Sequence, residues 1–312
     1  MANLYTRSQI EGRIAPKAAI AAMERAFVAY SRGQAVIPPV GQLDFVEPPG
    51  DCHIKYGYLR QSKTFTVKIA TGFWKNPQLG LASSNGVVLV FSSETGALKT
   101  IFLDEGYLTD IRTAAAGAVA AKYLAPREIS CVGVIGAGLQ ARLQLEYLRE
   151  VTACRRVKLW ARSSERARAL AVAGFDIEVM ATPDEVSSGS ELIVTTTAAH
   201  EWLVSADAVR PGTHVTALGA DGGGKHELDP RLFARASIRA VDSLSQCTQY
   251  GDSSYALAAG IIRVEDLVEL GQLIDRGPSR QSDRDITIAD LTGVAVQDIA
   301  IAELALGALE DR

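Results

Sequence analysis

The chain has 312 residues, 47% hydrophobic and 22% charged, with a formal net charge of -4; this suits about two domains, each with its own core, and is too apolar for a disordered chain. An acidic balance excludes a surface built to neutralise nucleic-acid phosphates. No apolar run reaches the ~18 residues of a membrane span and no secretory leader opens the chain, so a cytoplasmic protein with no membrane partner is expected.

Residues 16–30 carry Ala, Ile, Met and Phe at helical spacing among Lys17, Glu24 and Arg25, with Pro16 in the first turn. That pattern predicts an amphipathic helix covering a sheet. Residues 52–58, 64–71, 86–92 and 97–103 are rich in β-branched and aromatic side chains. No helical pattern separates them, so they are expected to pair antiparallel, in a first domain ending near Asp110. Thr109 or Asp110 can cap a helix of small residues over 113–124, which Ala125-Pro126 stops. The cysteines Cys52, Cys131, Cys154 and Cys247 are scattered, which predicts reduced thiols and no metal site.

Residues 130–142, Ser-Cys-Val-Gly-Val-Ile-Gly-Ala-Gly-Leu-Gln-Ala-Arg, read as strand, tight turn and helix. Gly136 and Gly138 free the backbone to meet a pyrophosphate at the helix start, and Ala141 is the third small residue of Gly-x-Gly-x-x-Gly/Ala. A structural glycine turn would look similar in isolation. The context decides: apolar runs at 157–160, 192–197, 214–218, 238–241 and 287–288 alternate with helical patterns, which predicts an α/β fold with a doubly wound parallel sheet of Rossmann type. A last helix over 296–309 can return to the first domain. Strand 157–160 runs into Ala161-Arg162-Ser163 with no carboxylate for a ribose hydroxyl. Arg162 and Ser163 suit a 2′-phosphate, so NADP(H) is favoured with NAD(H) still open; the alternative is that Arg162 stacks on adenine or caps the next helix.

The chain resembles the ornithine cyclodeaminase/μ-crystallin family in five stretches. These are Val67-Lys-Ile-Ala-Thr-Gly-Phe-Trp-Lys-Asn-Pro77, Tyr107-Leu-Thr-Asp-Ile-Arg-Thr-Ala-Ala-Ala-Gly117, the glycine turn extended by Gln140, Gly219-Ala-Asp-Gly-Gly-Gly-Lys-His-Glu-Leu228 and Gly293-Val-Ala-Val-Gln-Asp298. The resemblance implies an α+β substrate-binding and dimerisation domain of residues 1–112 with 296–312, a dinucleotide-binding domain of residues 113–295, a homodimer, and an active site between the domains. It implies that Lys68 and Arg112 hold a substrate α-carboxylate and that Asp221 is the acid/base. The cofactor contacts it implies are Ser83, Arg112, Gly136, Gly138, Leu139, Gln140, Ala161, Arg162 and Ser163.

The residues themselves agree in chemistry. Lys68 lies in an apolar strand, where a charge needs a ligand anion or a buried acid. Arg112 can grip a carboxylate with two parallel bonds, or pair with Asp110. Asp221 follows an apolar run at the end of which ligands of parallel sheets bind, with Lys225 nearby; the alternative is a turn-capping Asp before glycines. One departure stands out: Pro38-Pro39-Val40-Gly41-Gln42 lacks the arginine that relatives binding ornithine-like or cyclic substrates carry there. His53 and Lys55, two residues apart, face one way on an extended strand and can take over substrate recognition, unless they form a solvent-facing basic pair. Of the other histidines, only His226 lies close to Asp221 in sequence.

The expected activity is NAD(P)-dependent interconversion of an amino acid and its imino acid by hydride transfer at the α-carbon. The alternatives are an ornithine cyclodeaminase, giving proline and ammonia, and a non-catalytic μ-crystallin-like binding protein.

Overall fold

A computed structural model describes residues 2–277 and 280–310, in two units: Met1–Arg112 with Val294–Arg312, and Thr113–Gly293. Met1 and residues 311 and 312 of the expected first domain lie outside the described residues.

The first unit is a seven-stranded sheet with helices on one face. Its long strands, Gly50–Leu59, Thr64–Phe73, Ser84–Ser92 and Leu98–Leu103, pair antiparallel in sequence order. Strand register sets the face of every side chain. Lys68 pairs with Lys55 on one side and Val88 on the other, and Val88 pairs with Phe102, so these four point the same way. All four are buried. Helix Ala295–Glu310 packs on strands Gly50–Leu59 and Thr64–Phe73 and against helix Pro16–Ser31. Met23 and Phe27 of Pro16–Ser31 are fully buried, each contributing about 1.5–3 kcal/mol of transfer free energy. Pro16 opens that helix where its missing N–H costs nothing.

Three strands of this sheet lack the alternation that marks a half-buried strand. Asn3–Thr6 pairs parallel with Leu98–Leu103, and Ala35–Val36 and Gly41–Phe45 flank Gly50–Leu59. Asn3–Thr6 and Gly41–Phe45 are mostly exposed, so solvent rather than a core sets their composition.

The second unit is an eight-stranded, fully parallel sheet in the order Asp176–Val179, Arg156–Trp160, Val132–Ile135, Leu192–Thr195, His214–Ala217, Thr287–Asp290, Ile238–Val241 and Val268–Glu269. The four central strands from Val132–Ile135 to Thr287–Asp290 are buried throughout, as expected where helices cover both faces.

Helix Tyr107–Leu124 starts two residues before the expected cap. The capping oxygen belongs to Asp104, whose Oδ2 accepts the Leu108 N–H at 2.8 Å, so Thr109 and Asp110 are first-turn residues. Its small residues have a steric cause: a Cβ on Gly117 would collide with the side-chain amide of Gln144, whose Nε2 donates to the Thr113 carbonyl at 3.1 Å. No described helix is long and apolar enough to cross a membrane.

Candidate active site

In the first unit the chemistry gathers on Asp298, in the first turn of helix Ala295–Glu310. Its Oδ1 accepts from Lys68 Nζ at 2.8 Å and from Arg112 Nε at 3.1 Å, while Arg112 Nη1 donates to Gln297 Oε1 at 3.0 Å. Arg112 thus reaches across to Asp298 and Gln297, where the sequence offered Asp110 as its alternative partner. Lys68 has both the buried acid it needs and a carboxylate-binding partner in Arg112. All three charged side chains are at least nine-tenths buried.

Burial lowers the Lys68 pKa to about 7; Arg112 and Lys55 push it the same way and Asp298 opposes them. Burial pushes the Asp298 carboxyl up, but Lys68, Arg112 and Lys55 together hold it below its ordinary value. Its Oδ2 is buried with no hydrogen-bond partner among the described residues. Asp104 is the second buried acid within the field of Lys68, with its own carboxyl raised by burial. Three buried basic side chains, Lys55, Lys68 and Arg112, therefore act on Asp298, and Asp104 lies in the field of Lys68 as well. Such a cluster attracts an anion.

Lys55 is only 6% exposed, so the solvent-facing basic pair considered for His53 and Lys55 does not exist. The two share a face, but His53 Nε2 lies 3.6 Å from Asp51 Oδ2. Ser83 is exposed, and its carbonyl accepts from the Phe73 N–H at 2.7 Å.

In the second unit Gly136, Gly138, Ala161, Arg162 and Ser163 line one cavity of about 630 Å³, together with Thr196 and Thr197. Gly136 has φ +122°, and a Cβ there would strike the Thr196 hydroxyl. Nothing lies within 4 Å of a Cβ on Gly138, the N-cap of helix Leu139–Leu148. That open space at the N-terminus of helix Leu139–Leu148 fits a pyrophosphate, so the residues present suit a dinucleotide. Ser163, not Arg162, caps helix Ser164–Ala169 by accepting the Arg166 N–H at 3.3 Å. Arg162 and Arg166 both line the cavity there.

Asp221 follows strand His214–Ala217, and its Oδ1 accepts from Lys225 Nζ at 2.5 Å; its side chain is 49% exposed. His226 does not face Asp221. It is buried, stacked on Tyr255 at 3.9 Å, with Nε2 3.9 Å from Asp252 Oδ1. His214 is buried between the hydroxyls of Thr287 and Thr216, and burial lowers its pKa to about 3.

Two groups in these sites escaped sequence reasoning. Asp298 was visible as the last residue of a motif but not as the partner that Lys68 demands. Glu227, next to His226, accepts four hydrogen bonds at the ends of two strands.

Alanine dehydrogenase from Archaeoglobus fulgidus is 36% identical over 305 residues, covering 96% of this chain and 93% of that protein. The solved structure of an archaeal alanine dehydrogenase dimer with bound NAD superposes with TM-score 0.91 at 35% identity, covering 98% of this chain and 95% of that one. The Δ(1)-pyrroline-2-carboxylate reductase of Thermococcus litoralis, solved with NADH and L-proline, gives TM-score 0.92 at 28% identity, with 98% and 97% covered. With the family's model matching residues 2–311, the chain belongs to the ornithine cyclodeaminase/mu-crystallin family.

Proposed function

We propose that the protein is an NAD(P)-dependent oxidoreductase that interconverts a small amino acid and its imino acid. The observation that carries this reading is the buried pair Lys68 and Arg112, both held by one carboxylate oxygen of Asp298. A substrate α-carboxylate is the anion of the right size and geometry, and both the dehydrogenase and the reductase among the similar structures act on substrates bearing one. When bound, the nicotinamide supplies or accepts the hydride at the α-carbon.

The chain's own residues do the rest. Lys68 and Arg112 orient the carboxylate, and Asp298 keeps both cations in place. Asp221 delivers the proton to the imine nitrogen, or takes it in the reverse direction, with Lys225 stabilising its carboxylate form. His53 and Lys55 contact the substrate's remaining groups. Ser83 and Arg112 serve the nicotinamide end of the cofactor, and Leu139 and Gln140 its pyrophosphate. Arg162, with Arg166 beside it, favours NADP(H), although the similar structures hold NAD or NADH. Two copies pair through the open face of the first unit's sheet.

The test is a screen of 2-oxo acids with ammonia or amines, and of amino acids in reverse, followed by nicotinamide absorbance with both NADPH and NADH. Net dinucleotide turnover with at least one pair is expected. Asp221→Asn should lower kcat by about 10²–10⁴-fold while dinucleotide binding is kept. Proline and ammonia formed from ornithine with no net dinucleotide change would make the protein a cyclodeaminase instead.

A further inference from the structure

Strands Leu192–Thr195 and His214–Ala217 are neighbours in the parallel sheet, and the segments leaving them carry two parts of the proposed site. Thr196 and Thr197 wall the dinucleotide cavity, and Gly219 and Ala220 lead into Asp221. Beyond the last ladder bonds these segments need another constraint, and Glu227 supplies it.

The Glu227 carboxylate is fully buried. Its Oε1 accepts the Thr197 N–H at 2.6 Å and the Thr197 hydroxyl at 2.7 Å. Its Oε2 accepts the Gly219 N–H at 2.7 Å and the Thr195 hydroxyl at 2.7 Å. Each oxygen thus takes one backbone N–H, a donor that cannot turn away, and one hydroxyl. The approach is tight: a Cβ on Gly219 would strike the Thr197 carbonyl and come within 2.6 Å of Glu227 Oε2.

Glu227 is itself clamped. Asp252 Oδ1 accepts the N–H groups of Glu227 at 2.8 Å and Leu228 at 2.7 Å, and Asp290 Oδ2 accepts the Ser253 N–H at 2.7 Å. Burial raises the pKa of Glu227, Asp252 and Asp290, and the four donors on Glu227 oppose that shift. No group of three or more His, Cys, Asp or Glu side chains placed to hold a metal ion occurs among the described residues.

We propose that Glu227 is a positioning residue whose carboxylate ties Thr197 to Gly219, and so fixes Asp221 relative to the edge of the dinucleotide cavity. This rests on the reading of Asp221 as the proton carrier. An amide in place of the carboxylate keeps the shape but presents NH₂ to one of the two backbone N–H groups, so one tie must break.

The experiment compares the wild-type chain with Glu227→Gln by amide hydrogen exchange, NADPH and NADH fluorescence titration, and turnover. In Glu227→Gln, exchange at Thr197 or Gly219, whichever amide loses its acceptor, should rise by about tenfold or more, with central-strand amides unchanged. Dinucleotide affinity should fall, and kcat should drop by about 10- to 100-fold with a much smaller change in KM. Wild-type exchange at both amides, or a uniform rise through Thr113–Gly293, would overturn the proposal. If Glu227→Gln does not fold, Thr195→Val and Thr195→Ser decide: the valine variant should shift exchange at Gly219 and the serine variant should restore it, and two indistinguishable variants overturn the proposal. If Asp221→Asn is fully active, or no substrate is turned over, the functional reading fails, and the exchange and titration results still judge Glu227.

Discussion

Lys68 is where physical chemistry makes the sharpest demand on a single residue. With its pKa lowered to about 7, chiefly by burial, the free protein holds Lys68 half-protonated near neutrality. Only the ammonium form binds a carboxylate well, and the bound anion in turn raises the Lys68 pKa. Substrate affinity is therefore full below pH 7 and weakens as pH rises through about 7, by about tenfold per pH unit until the pKa of the complex is reached. Measuring KM for the amino or imino acid from pH 5.5 to 9 checks this. Lys68→Arg should flatten the profile, because a guanidinium stays charged throughout. A flat wild-type profile would show that Lys68 carries no substrate charge. Asp298 sharpens the case: Lys68 required a buried acid, yet that acid lies 230 residues away in sequence, where no spacing rule can point to it.

Among the elements, the strand, turn and helix around Gly136 and Gly138 separate folding from binding. Gly136→Ala forces a side chain into φ +122° and against the Thr196 hydroxyl, at a cost of about 1–3 kcal/mol, so it should lower both Tm and dinucleotide affinity. Gly138 has ordinary backbone angles and open space around it. Gly138→Ala should leave Tm unchanged and still weaken binding, since its methyl enters the space proposed for pyrophosphate. Thermal melts with and without NADH distinguish the two, and equal effects from both would remove the cradle. At the next turn, Arg162→Ala should weaken NADPH by about 10- to 100-fold and NADH little, the worth of one charge-assisted pair; equal losses in a fluorescence titration would deny Arg162 any part in choosing the phosphate. The parallel sheet was legible in sequence because buried central strands are continuous apolar runs, Val132–Ile135 and Leu192–Thr195 among them. Asp176–Val179 was not, because it is a four-residue edge strand, mostly exposed and too short to form an apolar run. Likewise Lys68, Arg112 and Asp221 stood out by residue type and motif, whereas Glu227 carried no signal of its own: its four donors come from segments that only the fold brings together.

For the whole molecule, the first unit's sheet has two faces of unequal fate. Helix Ala295–Glu310, with Pro16–Ser31 packed against it, lies over the face of Lys68 and Val88. The other face presents Leu43, Phe45, Tyr56, Tyr58 and Leu103, each 36–56% exposed. Register places Leu43, Phe45, Tyr56 and Tyr58 on one surface spanning Gly41–Phe45 and Gly50–Leu59. A contiguous apolar sheet face of this kind marks an interface, and a two-fold axis can satisfy it with the same surface of a second copy. An archaeal alanine dehydrogenase of closely similar fold was solved as a dimer. Light scattering after size exclusion should therefore give twice the chain mass. Tyr56→Asp with Tyr58→Asp puts charges into this apolar face, and pairing through it is then expected to fail. That variant should run as a monomer with its dinucleotide affinity intact, since the glycine cradle belongs to Thr113–Gly293. A variant that remains dimeric would move the interface elsewhere.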